Sequence, residues 1–290
     1  MKTLLAGWFS FEQMGATAGD LMARDLACQW LESAGCAVDI AVAAPFTGGV
    51  DWQTTEPSQY SHVVFVCGPF GNGWPIPEFL DRFPGARRIG LNLTMLESLE
   101  AWNPFELLWE RDSSRAARPE IAFLSEQPKV PVVGVVLVHA QLEYKSGLHQ
   151  AANDAIRRLT DTRPMAVVPI DTRLDVNATG LRTPAEVESL IARMDVVLTT
   201  RLHGTVLALK NGVPAIAIDP IAGGAKIRRQ TDTIGWPLCF NADNLDDLTL
   251  MQAFEHCLTA EARECARGCA DRARVEVART RTEFVSALRR

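Results

Sequence analysis

An arginine and a histidine two residues apart are the side chains best suited to bind and transform an anion. They lie in the segment Thr199-Thr200-Arg201-Leu202-His203-Gly204. The guanidinium of Arg201 offers a planar fork of donors that matches phosphate or carboxylate oxygens. The imidazole of His203 can donate, accept or move a proton near neutral pH. Gly204 would let a ligand approach the backbone closely, or could serve a simple turn.

The surrounding sequence predicts elements that place this segment where ligands bind. An apolar run at residues 194–198 predicts a buried parallel strand, residues 205–210 predict the first turns of a helix, and residues 215–219 predict a second strand. Open α/β sheets bind ligands at the carboxyl ends of their strands. A helix N-terminus would add backbone N–H groups and a positive dipole end. The structural alternative is an ion pair for the arginine and a backbone hydrogen bond for the histidine.

Other residues are candidates for the same site, each with a structural alternative. Lys226 follows the glycine-rich residues 222–225 and could close over a phosphate, or belong to a solvated loop. His139 ends a predicted strand at the carboxyl edge, where it would face the ligand or bond to backbone. Gly19 and Asp20 open a predicted helix, where Asp20 could simply be the N-cap.

Short apolar strands alternate with helical segments along the chain, which predicts parallel sheets flanked by helices. The polar residues 125–131 contain two prolines and predict a linker. We therefore assign residues 1–128 and 129–290 to two domains. The predicted strands are residues 4–9, 37–43, 63–67, 87–92, 132–139 and 165–170, and the predicted helices are residues 19–34, 76–83, 103–110, 147–160, 183–194 and 258 onwards.

Composition excludes several classes of protein. A net charge of −6 argues against a nucleic-acid binder. The first apolar run is too short for a signal peptide, and no stretch approaches the ~20 apolar residues of a membrane span. We therefore expect a soluble cytoplasmic protein without a transmembrane segment. The 7 cysteines are scattered and odd in number, which predicts reduced thiols. Cys265, Cys269 and His256 form no complete ligand set, so we expect no metal.

Residues 195–226 resemble the core motif of the polysaccharide pyruvyl transferase family, in which a strand runs into an Arg-Leu-His loop, a helix, Gly-Val-Pro and another strand. The likeness extends to other parts of the chain. Gly7-Trp8-Phe9 and Gly19-Asp20-Leu21 resemble the family's N-terminal strand and helix start. Residues 62–74 resemble its second glycine-rich turn, and residues 110–114 its Arg-Asp-x-x-Ser stretch.

The resemblance implies two Rossmann-like parallel-sheet α/β domains in a GT-B-like arrangement. The first domain would lie on the acceptor side and the second on the phosphoenolpyruvate side, with the terminal helix packing back on the first. The implied reaction transfers pyruvate from phosphoenolpyruvate to two sugar hydroxyls, forming a ketal. The acceptor would be a glycan or a lipid-linked precursor in exopolysaccharide biosynthesis for the cell envelope. Phosphoenolpyruvate would be a co-substrate, with no cofactor required.

The resemblance also implies roles for individual residues. Arg201 would hold phosphate or carboxylate, and His203 would act as the acid or base. Substrate-binding positions would be Arg201, Leu202, Gly204, Lys226, His139, Gly19 and Asp20.

Two other functions fit the same sequence. One is a GT-B glycosyltransferase that uses a nucleotide sugar, and the other is a non-catalytic relative that binds an anion or a sugar. The sequence leaves open peripheral membrane association and homo-oligomers.

Overall fold

Two parallel β-sheets, each in its own compact unit, form the framework of the chain. The computed structural model describes residues 1–138 and 147–289. The chain divides between Gln127 and Pro128 into unit 1, Met1–Gln127, and unit 2, Pro128–Arg290. Every strand pairing within the named elements of the described residues is parallel. The predicted fold class, two parallel-sheet α/β domains, is confirmed.

Unit 1 winds in both directions from its first strand. Its elements are β1 (Lys2–Ala6), α1 (Ala18–Ser33), β2 (Ala37–Ile40), β3 (His62–Val66), β4 (Pro69–Phe70), α2 (Ile76–Arg82), β5 (Arg87–Met95) and β6 (Leu107–Glu110). The strand order is β2-β1-β3-β5-β4, and β6 also pairs with β5. The winding direction reverses between β1 and β3, and such a switch point is where open α/β sheets bind ligands.

Unit 2 repeats this plan with a fully buried sheet centre. Its elements are β7 (Val132–Val136), α3 (His149–Thr160), β8 (Ala166–Pro169), α4 (Pro184–Ile191), β9 (Val196–Thr199), α5 (Leu202–Lys210), β10 (Ala215–Asp219), α6 (Lys226–Ile234), β11 (Cys239–Asn241), α7 (Asp247–Cys257) and α8 (Ala260–Ala287). The order β11-β10-β9-β7-β8 places the switch point between β7 and β9. All residues of β9 and β10 are buried, as expected for strands covered on both faces.

Local capping signals fix where several helices begin. Thr183 caps α4, and Glu186 returns the hydrogen bond to the cap, as the sequence predicts. At α1 the cap is Thr17, and Asp20 completes a capping box as the third helical residue. The interpretation of Asp20 as the N-cap itself is therefore wrong by three positions. A cap at Thr17 starts the helix before the Gly-Asp pair.

One predicted element is of the wrong type. Residues 103–110 are predicted as a helix because Asn and Pro suit a helix start, but Leu107–Glu110 form β6. The Asn103 side chain accepts a hydrogen bond from the N–H of Phe105, which makes a local turn instead of a cap. Pairing with β5 then extends the chain. The non-local pairing outweighs the local signal.

The long helix α8 closes unit 2 by packing on α5, α6 and α7. Its buried face includes Ala262, Ala266 and Cys269. Cys269 is thus a packing residue. The predicted packing of the terminal helix, α8, on the first domain stays a prediction. No helix of the described residues combines the length and apolar character needed to cross a membrane.

Candidate functional site

Two buried threonines tie the carboxyl end of β9 to its neighbours at the switch point. The Thr199 hydroxyl donates to the carbonyl of Val136 at 3.0 Å and accepts from the N–H of Arg201 at 2.9 Å. The Thr200 hydroxyl donates to the side-chain oxygen of Asn153 on α3 at 2.9 Å. It also accepts a backbone N–H from the segment after β7 at 2.8 Å. These bonds fix the backbone from which the Arg201 side chain projects.

The helix α5 begins at Leu202, earlier than the sequence predicts, so Leu202, His203 and Gly204 form its first turn. Gly204 is buried, and a Cβ there would lie 2.3 Å from the Thr199 hydroxyl oxygen and 2.9 Å from a Val136 methyl. Close packing of α5 on the strand ends therefore requires glycine. Contact between Gly204 and a substrate stays a prediction.

Leu202 faces away from this packing contact. Its side chain packs against a buried cluster of unit 2 formed by Ala217, Ile227 and Cys239. The structure thus gives Leu202 a role in joining α5 to β10 and α6. Its predicted contact with a substrate is not tested by this packing and stays a prediction.

Arg201 is held by a carboxylate that the sequence analysis did not single out. Its Nη1 donates to Asp171 Oδ1 at 2.9 Å, and the two side chains are 18% and 8% exposed. The ion pair named as the structural alternative is therefore present. It occupies one N–H of the five that a guanidinium carries. The pair fixes the orientation of Arg201, and no second side-chain partner of its guanidinium is found among the described residues.

Asp171 is itself held by the loop that follows β8. Its Oδ1 accepts the N–H of Arg173 at 2.9 Å, and its Oδ2 accepts the N–H of Ala178 at 3.2 Å. Burial raises the pKa of Asp171, but these two N–H donors and the Arg201 charge outweigh burial and bring the pKa below its ordinary value. Asp171 follows the carboxyl end of β8, so the strand-end rule used for Arg201 could have found it.

The N-termini of α5 and α6 differ in what satisfies their backbone N–H groups. At α5 no side chain of the described residues caps the helix. At α6 the Asp219 carboxylate accepts the N–H groups of Ala225, Ile227 and Arg228 at 2.7, 3.0 and 3.0 Å. A carboxylate of the protein therefore occupies the anion position of α6, whereas no carboxylate of residues 1–138 and 147–289 occupies that of α5.

Three predicted site residues take different positions. His203 is the second residue of α5 and is exposed, and no hydrogen bond to its imidazole is found within the described ranges. Lys226 is the first residue of α6 instead of a loop residue, because Asp219 starts the helix there. His139 lies outside the described residues.

Residues 140–220 match the family model of the polysaccharide pyruvyl transferases. The predicted resemblance to this family is thereby confirmed over less than a third of the chain. The matched range contains Asp171, Arg201 and His203. Lys226 and all the motifs of unit 1 lie outside it, so their part in the resemblance stays a prediction.

Other comparisons are weaker. The structure is similar to the glycotransferase of kitacinnamycin, with 10% identity, 94% of each chain covered and a TM-score of 0.34. It is also similar to MurG of Acinetobacter baumannii, with 10% identity, 93% of this chain and 95% of that chain covered, and a TM-score of 0.32. At these TM-scores the similarity implies nothing about substrate or reaction. No curated protein matches the sequence.

In unit 1, the separate motifs of the resemblance meet at the switch point. A cavity of about 480 Å³ is lined by Trp8, Asp20, Gly68 and Arg111, among others. The Asp20 carboxylate accepts from the N–H and the hydroxyl of the α1 cap, both at 2.7 Å. Gly19 has room for a Cβ, whose nearest neighbour would be 3.6 Å away. Arg111 forms an ion pair with Asp112 at 3.1 Å and also lines this cavity.

We expect Gly204→Ala to lower the free energy of unfolding by about 1–3 kcal/mol, because the added methyl overpacks the contact of α5 with the strand ends. Urea unfolding would measure the change. Gly85→Ala is the matched control, since a Cβ at Gly85 meets no atom within 4 Å. Equal unfolding midpoints for the two variants would contradict the packing role.

We expect Asp171→Asn to lower stability by about 1–3 kcal/mol at pH 7, because a mostly buried guanidinium loses its charged partner. The folded-state pKa of Asp171 lies below the unfolded value of about 3.9. The stabilisation that the Asp171 carboxylate provides is therefore complete above its unfolded-state pKa. It is lost as pH falls through its folded-state pKa. Urea titrations from pH 3 to 7 should show that the free energies of unfolding of Asp171→Asn and of the unmodified protein become more similar towards low pH. A difference in the free energy of unfolding that does not depend on pH would contradict this prediction. The control is Asp81→Asn, which changes an exposed carboxylate.

Proposed function

We propose that this chain transfers pyruvate from phosphoenolpyruvate to two hydroxyls of a sugar, forming a cyclic ketal and releasing phosphate. One observation carries the proposal. The segment that matches the pyruvyl transferase family contains an anchored guanidinium beside an uncapped helix N-terminus and an exposed imidazole. Phosphoenolpyruvate carries a phosphate and a carboxylate, and both are anions that such a position favours.

Arg201 would bind one of these anionic groups through the donors that Asp171 leaves available. Because Asp171 fixes the guanidinium, little side-chain freedom would be lost on binding. Leu202, His203 and Gly204 contribute the first N–H groups of α5, whose dipole adds to the attraction. Lys226, at the start of α6, would stabilise the leaving phosphate as a point charge.

The reaction requires proton transfer at two places. Protonation of the methylene carbon produces a cation-like centre, which one sugar hydroxyl attacks. Phosphate then leaves as the second hydroxyl closes the ring. Of the two hydroxyl protons, one balances the new methyl group and the other leaves with phosphate. His203 would mediate these transfers, and its exposure two residues after Arg201 supports this role.

The acceptor sugar would bind at the carboxyl edge of unit 1. The cavity lined by Trp8, Asp20 and Arg111 supports this assignment, since an indole ring can stack on a sugar and the polar groups can bond to its hydroxyls. A lipid-linked acceptor is compatible with this assignment. Gly19 lies in the same helix turn as Asp20.

Ligand-dependent thermal stability would test the proposed donor. Phosphoenolpyruvate should raise the melting temperature, and Arg201→Ala should abolish the rise. Stabilisation by uridine or guanosine diphosphate instead would support a nucleotide-sugar glycosyltransferase. Binding of phosphoenolpyruvate without phosphate release across a panel of sugar acceptors would support a non-catalytic relative. Either result would overturn the proposed transfer.

We expect His203→Ala to keep the affinity for phosphoenolpyruvate while lowering turnover about 10²–10⁴-fold, the usual loss for a general acid or base. Phosphate release with a productive acceptor would measure turnover, and thermal shift would measure binding. His62→Ala, on β3 of unit 1, is the control. Unchanged turnover in His203→Ala would remove the imidazole from proton transfer.

We expect Arg201→Lys to restore little of the activity lost in Arg201→Ala. Lysine keeps the charge, but it cannot donate to Asp171 and to a phosphate oxygen in one fixed plane. The kcat and KM of both variants should be compared with those of Arg279→Lys, which changes an exposed arginine of α8. Full activity of Arg201→Lys would show that the planar fork has no role.

A further inference from the structure

Unit 1 contains a second cavity, separate from the one lined by Trp8 and Asp20. Its volume is about 430 Å³, within the range of about 300–1,000 Å³ typical of small-molecule sites. It is lined by segments that follow β1 and β2 and by the segment that leads into α2. These segments leave the carboxyl ends of parallel strands, so the cavity lies at the ligand-binding edge of this sheet.

The floor of this cavity is aromatic and rigid. Phe11 and Trp52 are 6% and 5% exposed, and their ring centroids are 5.8 Å apart. The Trp52 indole N–H donates to the carbonyl of Ser10 at 3.1 Å. The Ser10 hydroxyl donates in turn to the carbonyl of Ala41 at 2.6 Å. These buried rings and bonded polar groups form a fixed base beneath the exposed side chains of the cavity.

One wall is an indole ring that protein packing leaves uncovered. Trp74 is 75% exposed, although tryptophan is usually among the more buried residues. Its neighbour Pro75 is buried and precedes α2, which fixes the backbone beside the ring. An exposed indole at the mouth of a cavity offers a flat face on which a ligand can stack.

The rim carries negative charge without compensation. Glu12, Asp51 and Glu78 line the cavity and are exposed. Among the described residues, no lysine, arginine or histidine lines it. Ionised carboxylates only accept hydrogen bonds, so the rim suits an occupant rich in donors that is neutral or positively charged. Phosphoenolpyruvate, with two anionic groups, would be repelled here.

We propose that this cavity binds a pyranose ring of the saccharide substrate and favours an amino sugar over a uronate. A pyranose combines an apolar C–H face, which stacks on Trp74, with hydroxyl donors that the rim accepts. A sugar ammonium group gains further from the carboxylates and from the indole face. That this ring belongs to the acceptor, at a position separate from the ring assigned to the cavity of Trp8 and Asp20, rests on the proposed function, whereas the binding itself does not.

Three trisaccharides would test the charge preference by calorimetry: glucosamine trimer, its N-acetylated counterpart and galacturonate trimer. The glucosamine trimer should bind more tightly than the neutral trimer at low salt, and the galacturonate trimer most weakly. Raising the salt concentration to about 0.5 M should reduce the difference in affinity between the glucosamine trimer and the N-acetylated trimer, because exposed charges are then screened. Equal or tighter binding of galacturonate, or no binding of any trimer, would overturn the proposal.

Variants would test the assignment to this cavity. Trp74→Ala should weaken binding of the cationic and neutral trimers about tenfold, whereas Trp30→Ala, which removes an exposed indole on α1, should change neither. The double variant Glu12→Gln and Glu78→Gln should weaken the cationic trimer about fivefold or more and the neutral trimer less. Equal losses of trimer affinity in Trp74→Ala and Trp30→Ala would overturn the proposal. Urea unfolding would confirm that each variant is folded.

The two proposals fail separately. Trp74→Ala should keep the thermal shift that phosphoenolpyruvate causes, because Trp74 lies in unit 1 and Arg201 in unit 2. If the glucosamine trimer binds through Trp74 but no phosphate is ever released, the cavity assignment stands and the proposed reaction does not. If phosphoenolpyruvate is turned over but Trp74→Ala changes neither trimer binding nor the acceptor KM, the cavity assignment is overturned alone.

Discussion

The close approach of α5 to the ends of β7 and β9 is the constraint on which the site of unit 2 depends. Gly204 permits this approach, and the Thr199 hydroxyl lies where any larger side chain would have to go. The same hydroxyl bonds to Val136 and to the N–H of Arg201. One contact therefore sets the helix position and the start of the arginine side chain together.

Two carboxylates then decide where an external anion can bind. Asp219 satisfies the N-terminal N–H groups of α6 and removes that helix end as a phosphate site. Asp171 bonds to the Arg201 side chain, and no side chain in the described part of the chain caps α5. Asp219 is the last residue of β10 and Asp171 follows β8 of the same sheet, and their different partners give the two carboxylates opposite effects. Counting positive residues in the sequence would not reveal this difference.

The strand-end rule predicted the location of Arg201 and His203 because it needs only an apolar run followed by polar residues. The same rule applied to β8 would have added Asp171. It could not show that Lys226 begins a helix, since that depends on Asp219 reaching three N–H groups of the next turn. The predicted helix at residues 103–110 failed because pairing with β5 is non-local. Helix caps and apolar runs predicted the elements well where no non-local strand pairing determined the structure.

The two proposed sites differ in their electrostatic character, as binding of an anionic donor and of a saccharide would require. The open end of α5 combines a helix dipole with an anchored cation, so it attracts an anion. The cavity beside Trp74 combines an indole face with three carboxylates, which disfavour an anion. Under the proposed reaction, a donor with two negative groups and a saccharide rich in hydroxyls would therefore bind at different sites because of their charge. The anionic groups of the donor would direct it to unit 2 without base- or ribose-specific contacts.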